Sequence, residues 1–146
     1  MTATEGRLPF RGYDTWYRVV GEAEHRGRMP LLALHGGPGG SHDPLEGLRA
    51  LAEQGRRVVF YDQLGGGDSD KPDDPSLWTV ETFLDQLRSV RESLGLERLQ
   101  LFGSSWGGML ALEYALTQPE GLVSLVLNST PTSAPRWAKE TLRLHA

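Results

Sequence analysis

Apolar residues are spaced in two ways along this chain, and the two spacings alternate. Short runs at Trp16 to Val20, Leu31 to Leu34, Arg57 to Tyr61, Leu99 to Phe102 and Leu122 to Leu127 each meet glycine, acid or amide within two residues of their end, and predict strands. Between them, spacings of three and four predict helices. Leu45, Leu48, Leu51 and Ala52 share one face. Val80, Phe83, Leu84, Leu87, Val90 and Leu94 form a longer stripe, with Thr79 placed to cap it and Gly95 to stop it. Met109, Leu110, Leu112, Ala115 and Leu116 continue the helical period up to Pro119. Strands alternating with helices imply right-handed crossovers and a parallel sheet covered on both faces, which takes its ligands at the carboxyl ends of the strands. No repeat, low-complexity tract or linker interrupts this order. Thr130 to Pro135 marks a change of regime before a short helical tail bearing Trp137, Leu142 and Leu144.

The chemistry lies at those carboxyl ends. Gly103-Ser104-Ser105-Trp106-Gly107 places a serine between a predicted strand and a predicted helix. In a Gly-x-Ser-x-Gly turn the serine is forced toward positive φ and its hydroxyl projects from the sheet edge, while Gly103 and Gly107 remove side chains that would collide. The next main-chain N–H, on Trp106, then points at a developing oxyanion. The pentapeptide alone is a short motif that chance produces easily, so its strand-and-helix context does the discriminating. A second loop, His35-Gly36-Gly37-Pro38-Gly39-Gly40, follows the strand that ends at Leu34. Its glycines let N–H groups face inward, as a donor for an acyl oxyanion requires; the alternative is a merely tight turn. Neither Gly-x-Gly-x-x-Gly nor Gly-x-x-x-x-Gly-Lys-Ser/Thr occurs, which disfavours a phosphate cradle.

Bulk properties remove several other classes. The 146 residues suit one domain, 38% of them are apolar, and the net charge of −4 with scattered cations gives no footprint for nucleic acid. The absence of cysteine rules out disulfides, thiolate metal sites and cysteine nucleophiles. No apolar run approaches the ~20 residues of a membrane span, and the opening Met-Thr-Ala-Thr-Glu-Gly-Arg lacks the order of a signal peptide, so the cytoplasm is the expected compartment.

Three motifs, His35 to Gly40, Tyr61-Asp62-Gln63-Leu64-Gly65-Gly66-Gly67-Asp68-Ser69-Asp70 and Gly103 to Gly108, stand in the order and spacing of the α/β-hydrolase superfamily. Across residues 14 to 135 the chain resembles its proline iminopeptidases and related amino-acid amide hydrolases. The resemblance implies an α/β-hydrolase fold, Ser105 as nucleophile, and the N–H groups of Gly37 and Trp106 as oxyanion donors. It also implies His35, Gly36, Pro38, Gly39 and Asp62 as loop residues that shape the site, and no metal or organic cofactor. Asp62 reads as a turn-former tying Gly65-Gly66-Gly67 by side-chain to main-chain bonds, the alternative being a catalytic acid. His35 is expected as a buried loop anchor, His42 as exposed, and His25 in a polar turn.

A serine nucleophile needs a histidine base oriented by a carboxylate, which in this family follow it in sequence. After Ser105 there is no aspartate, the only histidine is His145, and the acids are Glu113, Glu120 and Glu140. Glu113 and Glu120 are expected to face solvent, and His145 sits in a tail that resembles the first helix of the family's lid. The expected organisation is therefore residues 1–132 as the N-terminal part of the core and 133–146 as the start of the lid. The C-terminal half, or a complementing chain, would supply acid and base, and a small peptide or amino-acid amide would be the substrate. Without the closing strands a hydrophobic edge near Leu122 to Leu127 would stay uncovered. Two other readings stand beside this one: a non-catalytic truncated module that binds or pairs with a second chain, and an esterase of the same fold. An aspartate-nucleophile enzyme would need a carboxylate where Ser105 stands.

Overall fold

Six strands form one sheet in the order β1-β2-β4-β3-β5-β6 in a computed structural model that describes residues 2–21 and 27–144. In chain order the strands are β1 (Ala3–Phe10), β2 (Tyr13–Val20), β3 (Leu31–Leu34), β4 (Val58–Tyr61), β5 (Leu99–Ser104) and β6 (Leu122–Asn128). The helices are α1 (Ala50–Glu53), α2 (Val80–Ser93), α3 (Trp106–Leu116) and α4 (Ala134–Leu144). Strands β4, β3, β5 and β6 run parallel, and β2 and β1 extend the sheet antiparallel beyond β4. His25 and His145 lie outside the described residues.

Strand β1 was not foreseen from the apolar pattern. Its residues, Ala-Thr-Glu-Gly-Arg-Leu-Pro-Phe, are mostly exposed, and it occupies the sheet edge, where Pro and charge are tolerated because half the main chain faces solvent. It joins β2 through a two-residue turn at Arg11 (φ 50°) and Gly12 (φ 84°), the double positive φ that matches hairpin twist. Strand β2 starts three residues before the expected Trp16. The apolar face at Leu45 to Ala52 also departs from a simple helix. Residues Asp43–Arg49 form a 3-10 segment, and only four residues continue it as α1.

Side-chain alternation divides the core into two layers. Leu32, Leu34, Val59, Tyr61, Leu99 and Leu101 face α2 and α3, meeting Phe83, Leu84, Leu87, Val90, Leu110, Ala111 and Tyr114. Ala33, Val58 and Phe60 point the other way and pack with Trp16, Val20, Leu45 and Ala52. Each fully buried leucine here contributes roughly 1.5–3 kcal/mol by leaving water. Helix α2 starts where Thr79 accepts a hydrogen bond from the Thr82 N–H, a cap worth about 1 kcal/mol, and ends before Gly95 (φ 62°). Among the described residues no helix is long and apolar enough to cross a membrane.

At its outer border the sheet is bare. Val123, Val126 and Leu127 on β6 are 45%, 48% and 42% exposed, although a strand apolar on both faces belongs to the covered part of a parallel sheet. Trp137, Leu142 and Leu144 on α4 are exposed as well.

Candidate active site

Ser105 occupies the corner between β5 and α3 with φ 53° and ψ −118°, and its side chain is exposed and caps nothing. The corner can be this tight because glycines flank it. A Cβ on Gly107 would collide with the carbonyl oxygens of Leu34 and His35, and one on Gly103 would sit 2.5 Å from the Gly108 Cα. Helix α3 is therefore pressed against the ends of β3 and β5, with its first turn beside the serine. The Ser105 N–H donates to the Asn128 carbonyl (3.0 Å), and its own carbonyl accepts from Gly108 and Met109 N–H groups, fixing the residue on both sides.

The glycine loop after β3 lies against this corner. A Cβ on Gly36 would be 3.4 Å from the Ser105 Cβ, and Gly37 and Gly39 hold φ values of 144° and 85°. Among the described residues neither the Gly37 N–H nor the Trp106 N–H has a protein acceptor. Both are open main-chain donors, and the second also stands at the N-terminus of an 11-residue helix, where the peptide dipoles favour negative charge.

His35 is buried (1% exposed) and holds the base of that loop. Its Nε2 accepts the Gln63 N–H (2.9 Å), which leaves the proton on Nδ1 to be donated to the Gly36 carbonyl (2.7 Å). Burial lowers its pKa below the ordinary histidine value, against the opposing pull of the Gly36 bond and Asp62. The imidazole is thus a neutral structural member, with both nitrogens engaged in the loop.

His42 is also buried, contrary to the expectation of an exposed side chain. Its ring stacks on Trp16 at 4.2 Å, and its Nδ1 lies 3.0 Å from Asp62 Oδ1. The expectation failed because that shelter comes from β2 and β4, distant in sequence. Asp62 is fully buried: Oδ1 accepts the His42 N–H (2.7 Å) and Oδ2 the Asp68 N–H (2.8 Å). The tie to the glycine turn expected of Asp62 is therefore made just past it, at Asp68. His42, Asp62 and Asp68 form a cluster whose ligand-type atoms lie within 4.8 Å of one another. Since the Asp62 oxygens already accept two main-chain N–H groups, the cluster acts as a hydrogen-bonded strut between the loops. Glu113 and Glu120 are exposed, as expected.

One member of the site was quoted in a motif without a role. Gln63, fully buried, donates from Nε2 to the His35 carbonyl (2.9 Å) and accepts the Trp106 indole N–H on Oε1 (2.8 Å). The usable signal in the sequence was chemical. A partly buried indole N–H needs an acceptor, and an amide between an apolar strand and a glycine turn offers donor and acceptor together.

Strand order and the serine corner place the chain among the α/β proteins that carry a tight turn between a parallel strand and the following helix at the carboxyl edge of the sheet. It belongs to the α/β-hydrolase family, whose model, described as the alpha/beta hydrolase fold, matches residues 29–145. A proline iminopeptidase of Lactobacillus helveticus (strain DPC 4571) is 50% identical to it over 147 residues, covering 99% of this chain and 49% of the relative. Among solved structures, VinJ superposes with a TM-score of 0.91 at 44% identity, over 97% of this chain and 48% of VinJ. A proline iminopeptidase of Mycobacterium smegmatis superposes with a TM-score of 0.89 at 40% identity, over 98% and 50% of the respective chains. The chain spans about half the length of the curated relatives it matches.

Proposed function

We propose that this chain is the nucleophile-bearing half of a serine hydrolase of the proline iminopeptidase type, acting on small peptides or amino-acid amides. The observation that carries the reading is Ser105 at φ 53° on the corner between β5 and α3, beside the glycine loop and the open N–H groups of Gly37 and Trp106. Residues 1–132 form the N-terminal part of the core and 133–146 open the lid. The cytoplasm is the expected compartment.

In the complete enzyme, meaning these residues together with the chain that supplies base and acid, the Ser105 hydroxyl attacks the carbonyl of an amino-terminal residue, often proline. Its proton passes to the histidine base. The carbonyl π pair moves onto oxygen, where the Gly37 and Trp106 N–H groups hold the oxyanion. Collapse breaks the C–N bond, and the base returns the proton to the departing amine. Water then cleaves the acyl-serine ester by the same steps in turn, releasing the free amino acid. Loss of one oxyanion donor costs about 3 kcal/mol of transition-state stabilisation in enzymes of this kind, so two such donors form a large part of the machinery.

Fluorophosphonate labelling tests the assignment. The expected result is modification at Ser105 in the complete enzyme and none after Ser105→Ala. A complete enzyme that resists the reagent and hydrolyses neither a proline arylamide nor an aryl ester refutes catalysis and favours the truncated binding module. Turnover of the ester far above the arylamide replaces the peptidase assignment by an esterase.

A further inference from the structure

Residue 63 lies just beyond the carboxyl end of β4, and Trp106 just beyond that of β5, with β3 between those strands in the sheet. Two strand spacings of about 4.8 Å therefore separate the strands that carry them. Their side chains meet over the end of β3, where the His35–Gly37 loop leaves the sheet. The same amide that holds the indole also holds the His35 carbonyl, while the residue's own N–H is bound to the His35 ring. Resting on the catalytic reading above, we propose that Gln63 is a positioning residue that locks the Trp106 donor and the Gly37 donor into one rigid oxyanion site.

The chemistry leaves one arrangement. His35 offers a carbonyl, which only accepts, and Trp106 offers an indole N–H, which only donates, so the amide has a single orientation that satisfies both. The amide itself is fully buried, which limits the access of water to its side of both bonds. The indole also packs against Phe83, with ring centroids 5.7 Å apart and ring planes at 78°. Held by both contacts, Trp106 keeps the first turn of α3 in register with the loop. The two donors lie on different strand ends, and among the described side chains Gln63 is hydrogen-bonded to both segments.

A buried amide of purely structural use would stabilise the protein without affecting the reaction, and the test separates the two. Gln63→Leu, Trp106→Phe and the double variant of the complete enzyme are compared with the unsubstituted enzyme for proline arylamide turnover, rate of fluorophosphonate labelling at Ser105, and Tm. Both single variants keep the Gly37 and Trp106 main-chain N–H groups and break the side-chain bond that ties their segments together. Misplacement of reacting groups by about 1 Å costs on the order of 100-fold. The expected result is a roughly 10- to 100-fold fall in kcat and in labelling rate for each single variant, with KM within about threefold. The double variant should be no slower than the worse single one, because both break the same link. If Gln63→Leu does not fold, Trp106→Phe, altered at a partly exposed ring, carries the same expectation. Lowered Tm with unchanged kcat, or effects that multiply in the double variant, overturns the positioning role while leaving the hydrolase reading intact. An unsubstituted enzyme that neither labels nor turns over substrate fails at the earlier step and takes both down.

Discussion

Replacing Ser105 by glycine and by alanine separates backbone strain from lost chemistry. Ser105 holds φ 53° and ψ −118°, a region costly to any residue with a Cβ, and such positions carry about 1–3 kcal/mol of strain each. Alanine keeps that strain and glycine releases it. Against the release stands the greater freedom of glycine in the unfolded chain, which costs about 0.5–1 kcal/mol relative to alanine. The Ser105 side chain caps no helix N–H, so both variants lose the same negligible contact. The difference is therefore the strain minus the entropy, and the midpoint of the two ranges leaves Ser105→Gly more stable than Ser105→Ala by about 1 kcal/mol. In a complete enzyme about twice the length of this chain that corresponds to a rise in Tm of roughly 1–2 °C. Urea unfolding of both variants of the complete enzyme at one pH, followed by far-ultraviolet circular dichroism, measures the difference directly. At an unstrained position the sign reverses and glycine is the weaker by 0.5–1 kcal/mol. That reversed sign would refute the strained corner, and with it the geometric basis for naming Ser105 as nucleophile.

Three further substitutions have outcomes fixed by the surrounding bonds. Asp62→Ala orphans the buried N–H of His42, at about 1–3 kcal/mol, and leaves that of the exposed Asp68 to water, so a fall of roughly 1–3 kcal/mol in unfolding free energy is expected; a fall below 1 kcal/mol contradicts the strut. Tyr61 is fully buried and its hydroxyl meets no partner among the described residues, and burial raises its pKa far above the ordinary phenol value. Tyr61→Phe should leave stability unchanged or raise it by up to about 2 kcal/mol, and a measured loss above 1 kcal/mol would reveal a partner for the hydroxyl. For His35 the folded pKa is lowered, so the unfolded chain takes up a proton that the folded chain refuses. Its contribution is complete above the unfolded value of about 6.5 and is lost as pH falls from there toward the folded value. Asp62, 3.9 Å from Nε2, opposes this trend, and His42 reinforces it. Unfolding midpoints between pH 7.5 and 5 should slope less in His35→Gln, and an unchanged slope would refute the assignment.

Where burial is two-sided, the fold was legible in the sequence. Leu31–Leu34 and Val58–Tyr61 are apolar at every position because a central parallel strand has no solvent face; the first stands where the pattern puts it and the second starts one residue after the expected Arg57. The α2 stripe, its Thr79 cap and its Gly95 stop were equally plain, since all three signals are local. Strand β1 was hidden because an exposed edge imposes no alternation. The start of β2 was hidden because Thr15 is polar yet buried, satisfied by the Gln86 amide from α2 at 2.8 Å. The seven residues Asp43–Arg49 take 3-10 geometry although their apolar spacing is helical, a difference that the spacing of apolar side chains does not encode. At the site, Ser105 and the glycine loop were readable because strained turns demand particular residues. His42 and Gln63 were not, because their roles come from partners 20 to 43 residues away.

Strand β6 is aliphatic on both faces, pairs with β5 on one side, and leaves its other edge without a strand neighbour among the described residues. An exposed row of main-chain donors and acceptors flanked by Val123, Val126 and Leu127 is a template for pairing with another chain. Charged residues or proline would blunt such an edge, and Leu122–Asn128 contains neither. The 146-residue polypeptide expressed by itself should therefore self-associate, and sedimentation velocity should show species heavier than 16.1 kDa. Supplying the C-terminal half of a proline iminopeptidase relative in trans should reduce that association, since a strand laid on β6 covers the same groups. Val126→Lys should also reduce it, by placing a charge that resists desolvation at the centre of the exposed face. A monodisperse monomer with a sharp, cooperative melt would show instead that β6 tolerates solvent, and the covered-sheet argument would fail at its most exposed element.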